Sequence, residues 1–84
     1  MTNESIEKFI DTKAQKNPKI NIHFKQRATV KGLFIRTNDF NELKSKNFWR
    51  IVSDSNVAEW ERTKDASLAR IYNGAEFTRL SENN

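Results

Sequence analysis

His23 is the only histidine in this 84-residue chain, and there is no cysteine at all. One imidazole without a second nitrogen or sulfur ligand cannot complete a metal set of the usual kind, so His23 reads as an ordinary outward-facing strand residue. Asp39 and Glu42 could be pictured as an acid and base pair. Their neighbours are Asn, Lys and Ser, however, which is the expected content of a solvated loop. The two glycines, Gly32 and Gly74, lie forty-two positions apart, so no glycine loop can cradle a phosphate. These absences predict a chain that is not an enzyme and that uses neither cofactor nor metal. The residues that could do other chemistry are the cations. Between Thr12 and Asn38 stand Lys13, Lys16, Lys19, Lys25, Arg27, Lys31 and Arg36, with no acid among them. Lys25, Arg27 and Lys31 gather around one short polar turn and Arg36 follows, an arrangement able to meet phosphates without desolvating a carboxylate. Cations also keep small sheets soluble and guard their edges, and a net charge of +4 is ordinary for a domain of this size.

The elements that must hold these residues follow from periodicity. Ile6, Phe9, Ile10 and Ala14 fall at helical spacing behind Thr2 or Asn3 as N-cap, and Pro18 should stop that helix at about Lys16. Ile20, Ile22 and Phe24 then alternate with Asn21, His23 and Lys25, which predicts a half-buried strand. Gln26 to Thr29 is a turn. Val30 to Arg36 makes a second strand, with Gly32 as a bend or bulge. Residues 37–47 read as a loop with room for one helical turn. Phe48 to Val52 is a strand by aromatic and β-branched content, apolar on both faces, so one face should fill the core and the other lie under a covering element. Asn56 and Glu59 resemble a capping box for a short helix bearing Val57, Trp60 and Lys64. Ser67 to Tyr72 returns to strand character, Asn73-Gly74 predicts a tight hairpin turn, and Glu76 to Leu80 is the last strand. Residues 81–84 should fray. Phe48, Trp49 and Trp60 are either core or, where exposed, a stacking platform.

With 36% apolar residues the chain can supply one core, which predicts a single domain over 1–84: a helix within 1–17 and a barrel over 20–80. No apolar run approaches a bilayer-spanning length, and Met1-Thr2-Asn3-Glu4 carries no signal pattern, so the expected location is cytoplasmic, without membrane contact.

This order of elements, with a glycine bend in the second strand, resembles the Sm-like (Hfq-related) family. Ile22, Phe24, Arg27, Val30, Gly32 and Phe34 fall on the spacing of its first signature, with Arg27 where the family usually has Gly. Residues 71–80 follow the second signature, with Asn73 in place of a cation. The loop after the second strand departs in register, offering Asn38-Asp39 and Asn41. The resemblance implies a mainly β fold, a small bent five-stranded Sm-like or SH3-like barrel with an N-terminal helix across one end and a short helix before strand four. It also implies RNA contacts by Asn38, Asp39, Asn73 and Gly74.

Two functions stay open. One is weak single-stranded RNA binding through the basic hairpin, using Lys25, Arg27, Lys31 and Arg36 with those loop residues. The other is a protein-interaction module using an apolar patch or free edge strand. In either case the chain should be a monomer or weak dimer.

Overall fold

The computed structural model describes residues 1–13 and 19–82. Helix α1 spans Asn3–Thr12; Thr2 is its N-cap, its hydroxyl accepting from the Ser5 amide, and Glu4 lies in the first turn. It ends before the expected Lys16. Asp11 and Thr12 are weak helix formers, and the Thr12 hydroxyl donates back to the Lys8 carbonyl at 2.7 Å. Ala14, Lys16 and Pro18 lie outside the described residues.

Five strands follow: β1 Lys19–Phe24, β2 Val30–Phe34, β3 Phe48–Ser53, β4 Arg70–Asn73 and β5 Phe77–Glu82. They form one antiparallel sheet in the order β4-β3-β2-β1-β5. Helix α2 (Phe40–Ser45) occupies the predicted loop, and α3 (Asp54–Thr63) follows β3 directly. The expected mainly β fold holds in part: a single five-stranded antiparallel sheet is present, but the three helices hold about as many residues as the strands, so the domain is α/β.

The predicted Asn73-Gly74 hairpin is absent. A tight two-residue turn of the expected kind needs positive φ, yet Asn73 sits at φ −87 and neither glycine has positive φ. Instead the Asn73 side chain accepts from the Ala75 amide at 2.9 Å and caps a 3-10 turn over Gly74–Glu76. That turn carries the chain from β4 to the opposite edge of the sheet. Among the described residues no ladder joins β4 to β5, so the sheet is open. Ser67 and Leu68, expected as strand, belong to another 3-10 turn over Ala66–Leu68, capped by Asp65. The N-cap of α3 is Ser53, not Asn56, which lies inside the helix. The irregularity expected at Gly32 falls instead in the β1–β5 pairing, between His23 and Phe24. Gly32 serves close approach, because a Cβ there would stand 2.7 Å from Ile51 Cγ2 and 2.8 Å from the Val52 carbonyl oxygen. Ser81, expected to fray, pairs with Asn21 in β5.

Alternation along the strands sorts the core into two clusters. On the inner face Ile20, Ile22, Trp49, Ile51, Phe77 and Leu80 pack with Ile6 and Ile10 of α1. On the outer face Ile35 and Val52 pack with Val57 of α3, bordered by Leu33, Trp60 and Ala69. This is why β3 is apolar on both sides: Trp49 and Ile51 face α1, while Val52 lies under α3. Among the described residues no helix packs on the outer side of β1 beyond the Lys19–Asp54 ion pair, and the outward residues Asn21 and His23 are polar.

Candidate functional site

Lys25 and Arg27 sit in the turn between β1 and β2, both exposed. The Lys25 amide donates to the Glu76 carbonyl at 3.1 Å, tying this turn to the 3-10 turn before β5. Arg27 folds back so that its guanidinium carbon lies 5.1 Å from the Phe24 ring centre and 5.6 Å from that of Tyr72. The two rings lie 5.8 Å apart although β1 and β4 are not neighbours in the sheet, so the sheet curls at this end. Phe24 meets Phe77 edge-on at 5.2 Å, which fixes its ring from the other side. Phe24, Lys25, Gln26, Arg27, Ala75 and Glu76 line a cleft of about 330 Å³. Among the described residues no carboxylate lies within ion-pair distance of Lys25, Arg27 or Lys31. Lys31 is exposed on the outer face of β2, opposite Asn21.

The other predicted residues are differently employed. Arg36 Nη2 contacts Asp11 Oδ1 of α1 at 2.7 Å, and its guanidinium lies 4.9 Å from the Phe40 ring centre. The run that is free of acids in sequence is therefore partly neutralised in space, as Lys19 is by Asp54 of α3 at 3.1 Å. Asp39 accepts from Arg50 Nη2 at 2.7 Å, from Arg50 Nε at 3.3 Å and from the Thr37 hydroxyl. The hydrogen bonds from Arg50 and then Thr37 bring its pKa down to about 2, and the same contact raises that of Arg50. Asn38 is exposed beside that pair, in a second cleft of about 320 Å³ with Thr37, Asp39, Arg50 and Ala66. Asn73 caps its own turn. Gly74 is buried, its amide donating to the Asn47 carbonyl at 2.8 Å.

The His23 ring is held on both sides. Nε2 lies 3.0 Å from the Ser81 hydroxyl and Nδ1 lies 3.2 Å from the Thr29 hydroxyl. Among the described residues no group of three or more His, Asp or Glu side chains could hold a metal ion, and no helix is long and apolar enough to cross a membrane. Sequence reasoning found Lys25 and Arg27, but missed Ala75 and Glu76 as lining residues of the same cleft. Only the three-dimensional meeting of the two turns brings them together, and no local spacing encodes it. Comparisons with protein-family models, curated proteins and solved structures find no match to this chain.

Proposed function

We propose that this domain binds single-stranded nucleic acid and catalyses nothing. The observation that carries the reading is the pair Lys25 and Arg27, unpaired with any carboxylate among the described residues, beside Phe24, Tyr72 and a cleft of about 330 Å³. Arg36 and Lys19 are engaged by acids, whereas these two cations are held out at a turn where a phosphate can reach them. Phosphate contacts of this kind release counterions and supply sequence-independent affinity. The Arg27 contact with its rings contributes only about 0.5–1 kcal/mol at an exposed site, so a base or phosphate can displace it readily. Displacement would uncover aromatic surface for stacking.

The resemblance to the Sm-like family supports the same reading. It implies a strongly bent sheet, and the Phe24–Tyr72 contact between strands that are not neighbours is in keeping with a bent, open sheet. In that family the fourth strand of one copy pairs with the fifth of the next, and here the sheet edges are β4 and β5. Of the loop residues named by that resemblance, only Asn38 has a side chain without a hydrogen-bond partner among the described residues. Lys25, Arg27 and Lys31 therefore take precedence, and a cytoplasmic setting suits such a partner.

The test is fluorescence anisotropy with a uridine-rich oligomer, comparing the parent with Lys25→Ala/Arg27→Ala/Lys31→Ala. The parent should bind at low salt with a slope near −2 in log affinity against log salt, as expected for about three phosphates on a single strand. The triple variant should lose most of that affinity. No binding by the parent, or equal binding by the variant, overturns the proposal. A second reading then takes its place, carried by Ile71. It is 49% exposed on the edge strand β4, where an extended partner segment could add a strand. Binding of that kind would fall with Ile71→Glu and respond little to salt.

A further inference from the structure

The outer face of β5, β1 and β2 is the only broad part of the described sheet where polar side chains run across three strands without a covering helix. Helix α3 packs over β2 and β3, and its limit on β1 is the Lys19–Asp54 ion pair. Beyond it, register places Lys31 and Ser81 on either side of Asn21, and Arg79 beside His23. Lys31 and Arg79 are exposed, and among the described residues neither lies within ion-pair distance of a carboxylate. Between them lies His23, half-buried, with Ser81 on one ring nitrogen and Thr29 on the other. Both nitrogens are occupied by hydroxyls from neighbouring segments, so the ring is held in one orientation. What it offers a ligand is its π surface.

We infer that this face continues the nucleic-acid site away from the cleft, with Lys31 and Arg79 holding phosphates on the two sides of His23 and the imidazole ring receiving a stacked base. The inference rests on the single-stranded nucleic-acid reading above. Lys31 and Arg79 stand diagonally on strands separated by β1, two interstrand spacings across and two residues along, about 12 Å apart, so they would engage different phosphates of one strand. A base between them meets an aromatic ring of the kind that stacks bases in single-strand recognition.

Arg79→Glu, His23→Ala and His23→Phe are compared with the parent by anisotropy on a labelled uridine 12-mer, with a poly-glutamate peptide of matched charge as competitor. Arg79 makes no side-chain hydrogen bond or ion pair among the described residues, so its substitution tests the face without disturbing the fold. Arg79→Glu should weaken binding several-fold and flatten the salt slope by about 0.7 or more. His23→Ala should weaken it about fivefold or more, and His23→Phe should recover most of that loss. If Arg79→Glu and His23→Ala bind like the parent while Lys25→Ala/Arg27→Ala does not, the inference falls and the cleft reading stands. If the parent itself does not bind, both fall. Equal competition by poly-glutamate would reassign the face to an acidic protein and overturn the inference.

Discussion

Asn47 and Gly74 show how much one residue can hold in a fold this small. Asn47 stands at φ 62, donates from Nδ2 to the Met1 carbonyl at 2.9 Å, and accepts at Oδ1 from the Trp49 indole at 2.8 Å. Its carbonyl receives the Gly74 amide. The positive φ suits Asn better than most residues, and the three contacts join the segment before α1, β3 and the β4–β5 turn. Gly74 is needed for space and not for its backbone angle, because a Cβ would stand 2.6 Å from Ile6 Cδ1 and closer still to the Asn47 amide. Gly74→Ala should therefore cost about 1–3 kcal/mol through overpacking, read as a lowered Tm. Ile6→Val removes the obstructing methyl group, so the double variant should be less destabilised than the sum of the two singles. Simple additivity in a double-mutant cycle would show the clash to be unimportant. Asp39 makes a prediction of a different kind. Its pKa is lowered from 3.8 to about 2 in the folded state by hydrogen bonds from Arg50 and Thr37, so its ionised form stabilises the fold fully above the unfolded value. That contribution is lost as pH falls through the folded value. The stability gap between the parent and Asp39→Asn should thus be widest above pH 4 and shrink between pH 4 and pH 2 in urea melts. A gap that stayed constant over that range would mean that the Arg50 contact does not stabilise the folded state.

At the scale of elements, the strands were legible wherever side-chain alternation meets a covered face. Ile20, Ile22 and Phe24 announced β1, and the doubly apolar β3 announced covers on both sides, which α1 and α3 supply. Elements whose form depends on distant contacts were not legible. The Asn73-Gly74 pair carries the local signal of a hairpin, but the Asn47 carbonyl and the Ile6 side chain claim Gly74, and Asn73 turns its amide to capping. Helix α2 was legible only as room for one helical turn, because Phe40 and Leu43 are isolated apolar residues in a polar stretch and packing on β3 stabilises the helix. The cleft was half legible. Its cations stood out as an acid-free run, whereas Ala75 and Glu76 join it only because the Lys25 amide ties the two turns together. The edge position of β4 leads to a further expectation. In an antiparallel edge strand alternate amides point away from the partner, so exchange across Arg70–Asn73 should alternate between slow and fast. β1 is flanked on both sides and should be protected throughout Ile20–Ile22. Uniform protection along β4 in hydrogen-exchange NMR would mean that its outer edge is paired.

For the whole molecule the question is what two open sheet edges do in solution. Ring assembly of the kind the Sm-like resemblance implies would set β4 of one copy against β5 of the next. The fifth strand, expected over Glu76 to Leu80, runs six residues over Phe77–Glu82, and β4 with four is the shorter edge. A four-residue edge limits a shared ladder to a few hydrogen bonds, too few to offset the cost of association without a sizeable apolar contact. Ile71 is the one exposed large hydrophobic residue among those described, so little apolar surface accompanies the edge. On β5, exposed Arg79 and Glu82 would have to be accommodated beside Arg70 of the neighbour, and the irregularity between His23 and Phe24 breaks the regular pairing behind them. Short length, charge and an irregular ladder are the means by which natural sheets avoid edge-to-edge growth. The expected state is therefore a monomer or weak dimer at micromolar concentration, which multi-angle light scattering measures directly. Ile71→Lys should remove any weak dimer, since it places a charge at the centre of the shorter edge. A hexamer or heptamer in the same measurement would refute the expectation, and would require nucleic acid to meet several copies of the Lys25–Arg27 turn at once.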